Sequence, residues 1–341
     1  LSEDNVTIFV TGGAGFIGSE FIRGWLKLNP TDRVINFDKL TYAANLENLA
    51  SVADAPGYSL VKGDVCEPED VYEAMPAGCD VVVHFAAESH VDRSILSATE
   101  FVKANVLGTQ VVLDVARARK VGRFLHISTD EVGGDIPAPR EFAEGDPLTP
   151  SSPYAASKTA AEHLVNAAVH TFGIDAVVTR TSNNYGPYQF PEKLIPLAIS
   201  NLMADRPVPV YGDGQQVRDW IHVADNCAAL RTVITKGRAG ETYHIGGRNP
   251  RANVEVLRML LEILGKPESL LQQVTDRLGH DRRYAVDCTK IERELGWTRA
   301  IPFEEGLRQT VRWYQENADW VERARSGEYR NYYERQYGMA V

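Results

Sequence analysis

The chain has 341 residues, 44% of them hydrophobic, enough to bury a full core and to build two lobes of one compact unit. A formal net charge of −10 argues against a general affinity for nucleic acid or anionic membrane, but leaves room for a small anionic substrate held by local arginines. Cys66, Cys79, Cys227 and Cys288 form neither a CxxC pair nor a metal-like cluster with histidine, so reduced thiols and no metal are expected, and no stretch reaches the roughly 20 apolar residues of a membrane helix.

Residues 1–5 are acidic and run almost directly into a strand at 6–11, without a secretory signal, so a cytoplasmic location is expected. Gly13-x-Gly15-x-x-Gly18 follows that strand and opens a helix at 16–28. In this setting glycines permit a tight turn and a close approach of backbone to a pyrophosphate facing the helix N-terminus. A second strand at 33–37 leads into Asp38, 20 residues beyond Gly18. A carboxylate there accepts from adenosine ribose hydroxyls and repels a 2′-phosphate, which favours NAD over NADP. After a strand at 59–62, Asp64-Val65 is placed either to bound the adenine or to cap a helix at 67–75.

A strand at 81–85 and a helix at 99–119 precede the strand 124–128. Asp130 and Glu131 stand at its carboxyl end, where open α/β sheets place their ligands. Ser151-Ser152-Pro153 reads as a capping turn before a helix extending through 157–171. Tyr154 and Lys158, four apart, share one face of it. An ammonium there lowers the phenol's pKa, so that tyrosinate takes a hydroxyl proton while hydride leaves the same carbon. Tyr58-x-x-x-Lys62 matches the spacing too, but in a strand its members are roughly 13 Å apart. Two adjacent carboxyls beside an oxidation site can serve as acid and base on neighbouring atoms, which points to an elimination run through a transient ketone.

With a further strand at 176–180, continuous apolar strands alternate with helices. The pattern predicts an α/β fold, a doubly wound parallel sheet (Rossmann-like). Beyond Asn184, prolines at 187, 191, 196, 207 and 209 break the pattern and mark a smaller mixed α/β lobe. The expected division is 1–184 for the dinucleotide and 185–341 for the substrate, with 217–245 returning to the first lobe.

Together these residues resemble the extended short-chain dehydrogenase/reductase family, and within it the nucleotide-sugar 4,6-dehydratases. The likeness spans nearly the whole chain: TGGAGFIG at 11–18, HFAAESHVDRS at 84–94, STDEV at 128–132, SPYAASK at 152–158, SNNYGP at 182–187, FPEKLIP at 190–196, VPVYGDG at 208–214, VRDWIHV at 217–223 and GHDRRYAVD at 279–287. Epimerases and decarboxylases of the family share the glycine turn and the Tyr/Lys pair but typically lack the Asp-Glu pair.

The resemblance implies an NAD-dependent hydro-lyase that converts dTDP-glucose to a 4-keto-6-deoxy sugar. Tyr154 would be the base for oxidation at carbon 4, assisted by Lys158 and Thr129; Glu131 would remove the carbon-5 proton and Asp130 protonate the departing carbon-6 hydroxyl. Gly12, Gly15, Phe16, Ile17, Gly18, Asp38, Lys39, Leu40, Thr41, Asp64, Val65, Ala86 and Asn184 would surround NAD together with Tyr154 and Lys158. Ser89, Thr129, Asn183, Lys193, Leu194, Pro209, Tyr211, Arg218, Asn253, His280, Arg283 and Tyr284 would hold the nucleotide sugar, with Arg218 and Arg283 as diphosphate donors. His90 is expected to be a packed, hydrogen-bonded histidine. A homodimer through 99–119 and 157–171 is implied as well.

One departure stands out: Gly133-Gly134 follow Asp-Glu-Val, where the family usually has tyrosine. Two glycines widen the accessible backbone conformations, so the loop holding the acid pair is expected to be looser. The alternatives left open are a UDP-glucose 4,6-dehydratase or related epimerase, and a non-catalytic NAD-sensing protein. The last has no need of Tyr154, Lys158 and the acid pair together.

Overall fold

Valine, isoleucine and phenylalanine crowd the strands of the first half, and nearly all are inaccessible on both faces of the sheet. Such strands have to be covered by helices on both sides. The computed structural model, which describes residues 5–325, has that arrangement; residues 326–341, the end of the expected second lobe, lie outside the described residues. Strands β1 (Thr7–Thr11), β2 (Arg33–Asp38), β3 (Tyr58–Lys62), β4 (Val81–His84), β5 (Arg123–Thr129) and β6 (Ala176–Thr181) run parallel in the order β6-β5-β4-β1-β2-β3. Between them lie α1 (Phe16–Leu28), α2 (Pro68–Ala74), α3 (Val91–Leu96), α4 (Ala98–Phe101), α5 (Gly108–Ala118) and α6 (Pro153–Phe172). Alternation along β1 sends Ile8 and Val10 to one apolar layer with Phe21, Ile22 and Leu230, and Phe9 to the other with Val82, Val112 and Phe124.

The helix expected at 99–119 is not one regular α-helix. A π-helical turn, Val102–Leu107, separates α4 from α5. Such turns are uncommon and need a local reason. Here the wide turn carries Asn105 inward, where its Oδ1 accepts from the Glu88 backbone at 2.8 Å and its Nδ2 donates to Glu88 O and to Ser157 Oγ. The turn thus braces the loop after β4 against the first turns of α6. That helix begins as its sequence dictates: Ser152 Oγ accepts from Ala155 N at 3.1 Å, Pro153 occupies the first turn, and Gly173 ends it at φ +69°.

The remaining strands are β7 (Asn183–Tyr185), β8 (Val208–Tyr211), β9 (Val217–His222), β10 (Thr242–Ile245), β11 (Pro250–Ala252) and β12 (Leu271–Val274). The helices are α7 (Leu194–Met203), α8 (Val223–Lys236), α9 (Asn253–Leu264), α10 (Thr289–Leu295), α11 (Phe303–Glu316) and α12 (Ala318–Ala324). β9 pairs with β7 and β11, and β8 with β12, around an apolar core that includes Leu202, Leu257, Leu260, Leu307 and Tyr314. α8 packs on α1, and β10 adds a seventh parallel strand beside β6. Of the segment 217–245, the strand therefore stays in the small three-stranded sheet while 223–245 rejoins the large one. Among the described residues, no helix is long and apolar enough to cross a membrane, and no group of three or more potential ligands could hold a metal ion.

One buried ion pair fixes α6 on the sheet. Arg180 of β6 donates through Nε and Nη2 to Glu162, at 2.8 Å for the shortest contact, and through Nη1 to Glu144 O. Glu162 has no exposed surface, so removing its charge leaves a guanidinium buried and unpaired. Glu162→Leu is expected to lower unfolding free energy by about 3–5 kcal/mol in urea titrations. Glu268→Leu, which breaks the exposed pair with Arg258, should change it little. Equal effects of the two substitutions would contradict this assignment.

Candidate active site

A cavity of about 790 Å³ opens at the carboxyl ends of β1, β2, β4 and β5 and continues to the small lobe. It lies where the chain order divides around β1 and β4, the place where doubly wound sheets bind ligands. At its floor the glycine turn is dictated by space. Gly12 adopts φ +71°, and a Cβ there would lie 2.7 Å from Ala86 N; a Cβ on Gly18 would lie 2.5 Å from Gly12 O. The turn leads into α1, whose first-turn N–H groups have no acceptor within the helix, a cradle for a phosphate. Asp38 sits beside it, with Oδ2 accepting from Ala14 N at 2.9 Å and Oδ1 from Leu40 N at 2.8 Å. Burial raises its pKa, and the two backbone donors oppose that shift. Lys39 is held by Asp64 at 2.6 Å.

Gly12, Gly15, Phe16, Ile17, Gly18, Asp38, Lys39, Thr41, Asp64, Val65, Ala86 and Asn184 all line this cavity. Leu40 does not. It takes a positive φ of 58°, gives its amide to Asp38 and packs its side chain against the core.

β5 delivers Thr129 to the middle of the cavity, and a 3₁₀ turn, Asp130–Gly133, follows at once. Thr129 caps that turn by accepting from Glu131 N at 3.3 Å, donates to Asp130 Oδ1 at 3.2 Å and lies within hydrogen-bond reach of the Tyr154 phenol. The two acids differ in surroundings. Burial, and then the neighbouring Glu131, push Asp130 well above the ordinary carboxylate range, with Arg218 opposing. Burial also raises Glu131, but Arg277, Lys193 and Arg218 all pull it down. Asp130 Oδ2 and Glu131 Oε2 have no hydrogen-bond partner.

Tyr154 and Lys158 face the same cavity from α6. Lys158 Nζ donates to Ile127 O at 2.7 Å, and burial brings its pKa down to about 8. The expectation that Lys158 lowers the phenol's pKa is overridden in this geometry. Burial raises Tyr154, and Glu131 adds to the rise; Thr129 is the partner that opposes it. Beneath them His126 is wholly buried and held neutral, first by burial and then by Lys158.

On the substrate side, Ser89, Asn183, Lys193, Leu194, Pro209, Tyr211, Arg218, Asn253 and His280 line the cavity. Arg218 is almost wholly buried, donating to Asp281 O at 2.9 Å and lying 4.1 Å over the Tyr284 ring. Tyr284 therefore supports Arg218 from behind instead of lining the cavity. The structure corrects the expectation for Arg283. Next to its bridge with Val217 it turns outward, and its Nη1 donates to Ile136 O and Arg140 O. Arg277 is the second arginine in the cavity, 3.3 Å from Asp92. Its position, just ahead of the GHDRRYAVD stretch, was the one signal available in the sequence. Glu192 was missed as well: buried beside Lys193, it lies 3.4 Å from Arg93 Nε. His90 is buried against Glu192 O at 3.4 Å, a packed histidine as expected.

The chain is similar to known proteins along most of its length. The family model described as GDP-mannose 4,6 dehydratase matches residues 9–310. A dTDP-glucose 4,6-dehydratase of Escherichia coli is 48% identical, over 97% of this chain and 98% of its own length. One from Streptomyces niveus is 50% identical, over 94% and 96%. The crystal structure of DesIV, a dTDP-glucose 4,6-dehydratase from Streptomyces venezuelae with NAD and TYD bound, superposes with a TM-score of 0.91 at 48% identity, covering 93% of this chain and 99% of that one.

The looser loop expected from Gly133-Gly134 is corrected by packing. Gly133 has no positive φ, but a Cβ there would lie 2.7 Å from the Phe142 ring. Gly134 does need φ +68°, and the carbonyl of Thr149 fills the space beside it. Thr149 also bonds Val132 O at 2.9 Å and Gly133 O at 2.6 Å. Phe142 occupies the room that a side chain at 133 would need. Gly133→Tyr is expected to cost about 1–3 kcal/mol in urea unfolding, as overpacking does. Adding Phe142→Ala should recover part of that loss. A Gly133→Tyr protein as stable as its parent would refute the packing account.

Proposed function

This chain belongs to the 4,6-dehydratases of the extended short-chain dehydrogenase/reductase family, and we propose that it converts dTDP-glucose to dTDP-4-keto-6-deoxyglucose with NAD as resident cofactor. The observation that carries this reading is the acid pair at the end of β5, facing the cavity beside Thr129 and Tyr154 with Asp130 Oδ2 and Glu131 Oε2 unpartnered, and with three cations set against the rise of Glu131. Epimerisation needs oxidation at one carbon and return of hydride to it, with no use for such a pair.

The cavity fits a dinucleotide. Its glycine cradle leaves no room for side chains, Asp38 is set for ribose hydroxyls, and the buried Ser128 Oγ and Asn184 Oδ1 lack hydrogen-bond partners. When bound, NAD supplies the hydride acceptor, and its cationic ring the charge that favours a tyrosinate. Tyr154 takes the proton of the carbon-4 hydroxyl, which Thr129 also holds. The resulting ketone acidifies the proton on carbon 5, and Glu131 removes it. Asp130, kept neutral by burial and by its neighbour, gives its proton to the leaving carbon-6 hydroxyl. Two acids with separated proton affinities are what this step requires. Arg218 and Arg277 hold the diphosphate, and Pro209 and Tyr211 border the base.

The same reading makes the protein a cytoplasmic homodimer joined through the layer of α5 and α6, supported by exposed Val102 and Phe172. The test of the chemistry is Glu131→Gln. NAD should stay bound and dTDP-glucose should still reduce it, while product formation falls by about 10²–10⁴, the usual cost of one positioned base. Near-normal turnover of this variant would remove Glu131 from the role.

A further inference from the structure

The proposed reaction reduces its cofactor and reoxidises it within one turnover. A cofactor that left between the two transfers would strand the sugar as a ketone, so retention is part of the chemistry. Thr41, Ala43 and Ala44 line the cofactor end of the cavity. The stretch that carries them is tied down on several sides. Asn45 N donates to Ala14 O of the glycine turn at 2.9 Å. Tyr42, between the lining residues, points away toward the substrate side. The Arg93 guanidinium lies 3.8 Å over its ring, Phe190 meets it edge-on at 5.9 Å, and its hydroxyl reaches Glu192 Oε1 at 3.4 Å. Further along, Glu47 pairs with Arg323 at 2.7 Å, and Asn48 Oδ1 accepts from Trp320 Nε1 at 3.2 Å.

Residues 41–48 thus belong to the first lobe by sequence and are anchored to the small lobe by contacts. Lifting the backbone at 41–44 away from the cavity separates Tyr42 from Arg93, Phe190 and Glu192 together. Glu192 is followed by Lys193, whose Nζ holds Ser89 O at 2.8 Å on the substrate side. The segment that lines the cofactor end is therefore tied, through Tyr42 and Glu192, to the chain that carries Lys193.

We propose that residues 41–48 form a clasp that retains NAD through the catalytic cycle, with Tyr42 as its positioning residue. The proposal rests on the NAD chemistry given above, but its test needs no sugar. Parent, Tyr42→Ala and Tyr42→Leu proteins are loaded with radiolabelled NAD and chased with excess unlabelled NAD. Both variants should release label at least about tenfold faster, since the lost stack and edge contact act mainly on the dissociation rate. Tyr42→Phe, which keeps the stack and loses only the long hydroxyl contact, should release it at close to the parent rate. Melting of the NAD-free proteins separates a clasp from a general lobe contact: for the clasp, the variants melt close to the parent. Dissociation rates equal to the parent's in both variants would overturn the proposal. So would faster release accompanied by an equally large loss of stability in both NAD-free variants. If the dehydratase reading were the part at fault, the parent would hold NAD with the same kinetics and fail to turn over dTDP-glucose.

Discussion

Carboxyl groups on adjacent residues, set deep in a protein, repel one another, and whichever lies nearer to cations gives up its proton first. Asp130 and Glu131 live under that constraint, and much of the surrounding architecture serves to resolve it in one direction. The large lobe supplies the pair itself, by ending β5 at Thr129 and turning immediately into a 3₁₀ turn. The small lobe supplies the cations: Lys193 ahead of α7, Arg218 on β9 and Arg277 after β12. All three act on Glu131, whereas Arg218 is the cation that opposes protonation of Asp130, against both Glu131 and Asp219. The difference between the surroundings of the two acids is therefore a property of the two lobes together.

Burial acts on Tyr154 and Lys158 in opposite senses, raising the phenol and lowering the ammonium to about 8. Their geometry depends on supports outside the cavity. Ser152 and Pro153 start α6 at the right residue, Glu162 and Arg180 press it to the sheet, and Asn105 reaches Ser157 from the π-helical turn. The helix that carries Tyr154 and Lys158 is thus held at its start, its middle and its flank.

Most of the large sheet and the meeting of the motifs at one cavity were legible in the sequence, because both are written locally. Apolar runs bounded by turns mark β1 to β6, and the glycine turn, Asp38, the acid pair and the Tyr/Lys pair each sit next to the element that presents them. What was misread depends on distant contacts. Nothing within 99–119 announces a π-helical turn, whose reason is the meeting of Asn105 with Glu88 and Ser157. Which arginine enters the cavity is decided by how residues 276–284 run past β9, and that path turns Arg277 inward and Arg283 toward Ile136 and Arg140. Gly133 looked like a source of freedom and is instead a site of close packing, because Phe142 lies on it from nine residues away.

One site that oxidises carbon 4, eliminates water and returns the same hydride to carbon 6 moves a label between those carbons. With dTDP-glucose carrying deuterium at carbon 4, the deuterium is expected in the carbon-6 methyl group of the product, with no NAD beyond that bound to the protein and with a proton at carbon 5 exchanged from solvent. Label retained at carbon 4, or lost to the medium, would contradict it.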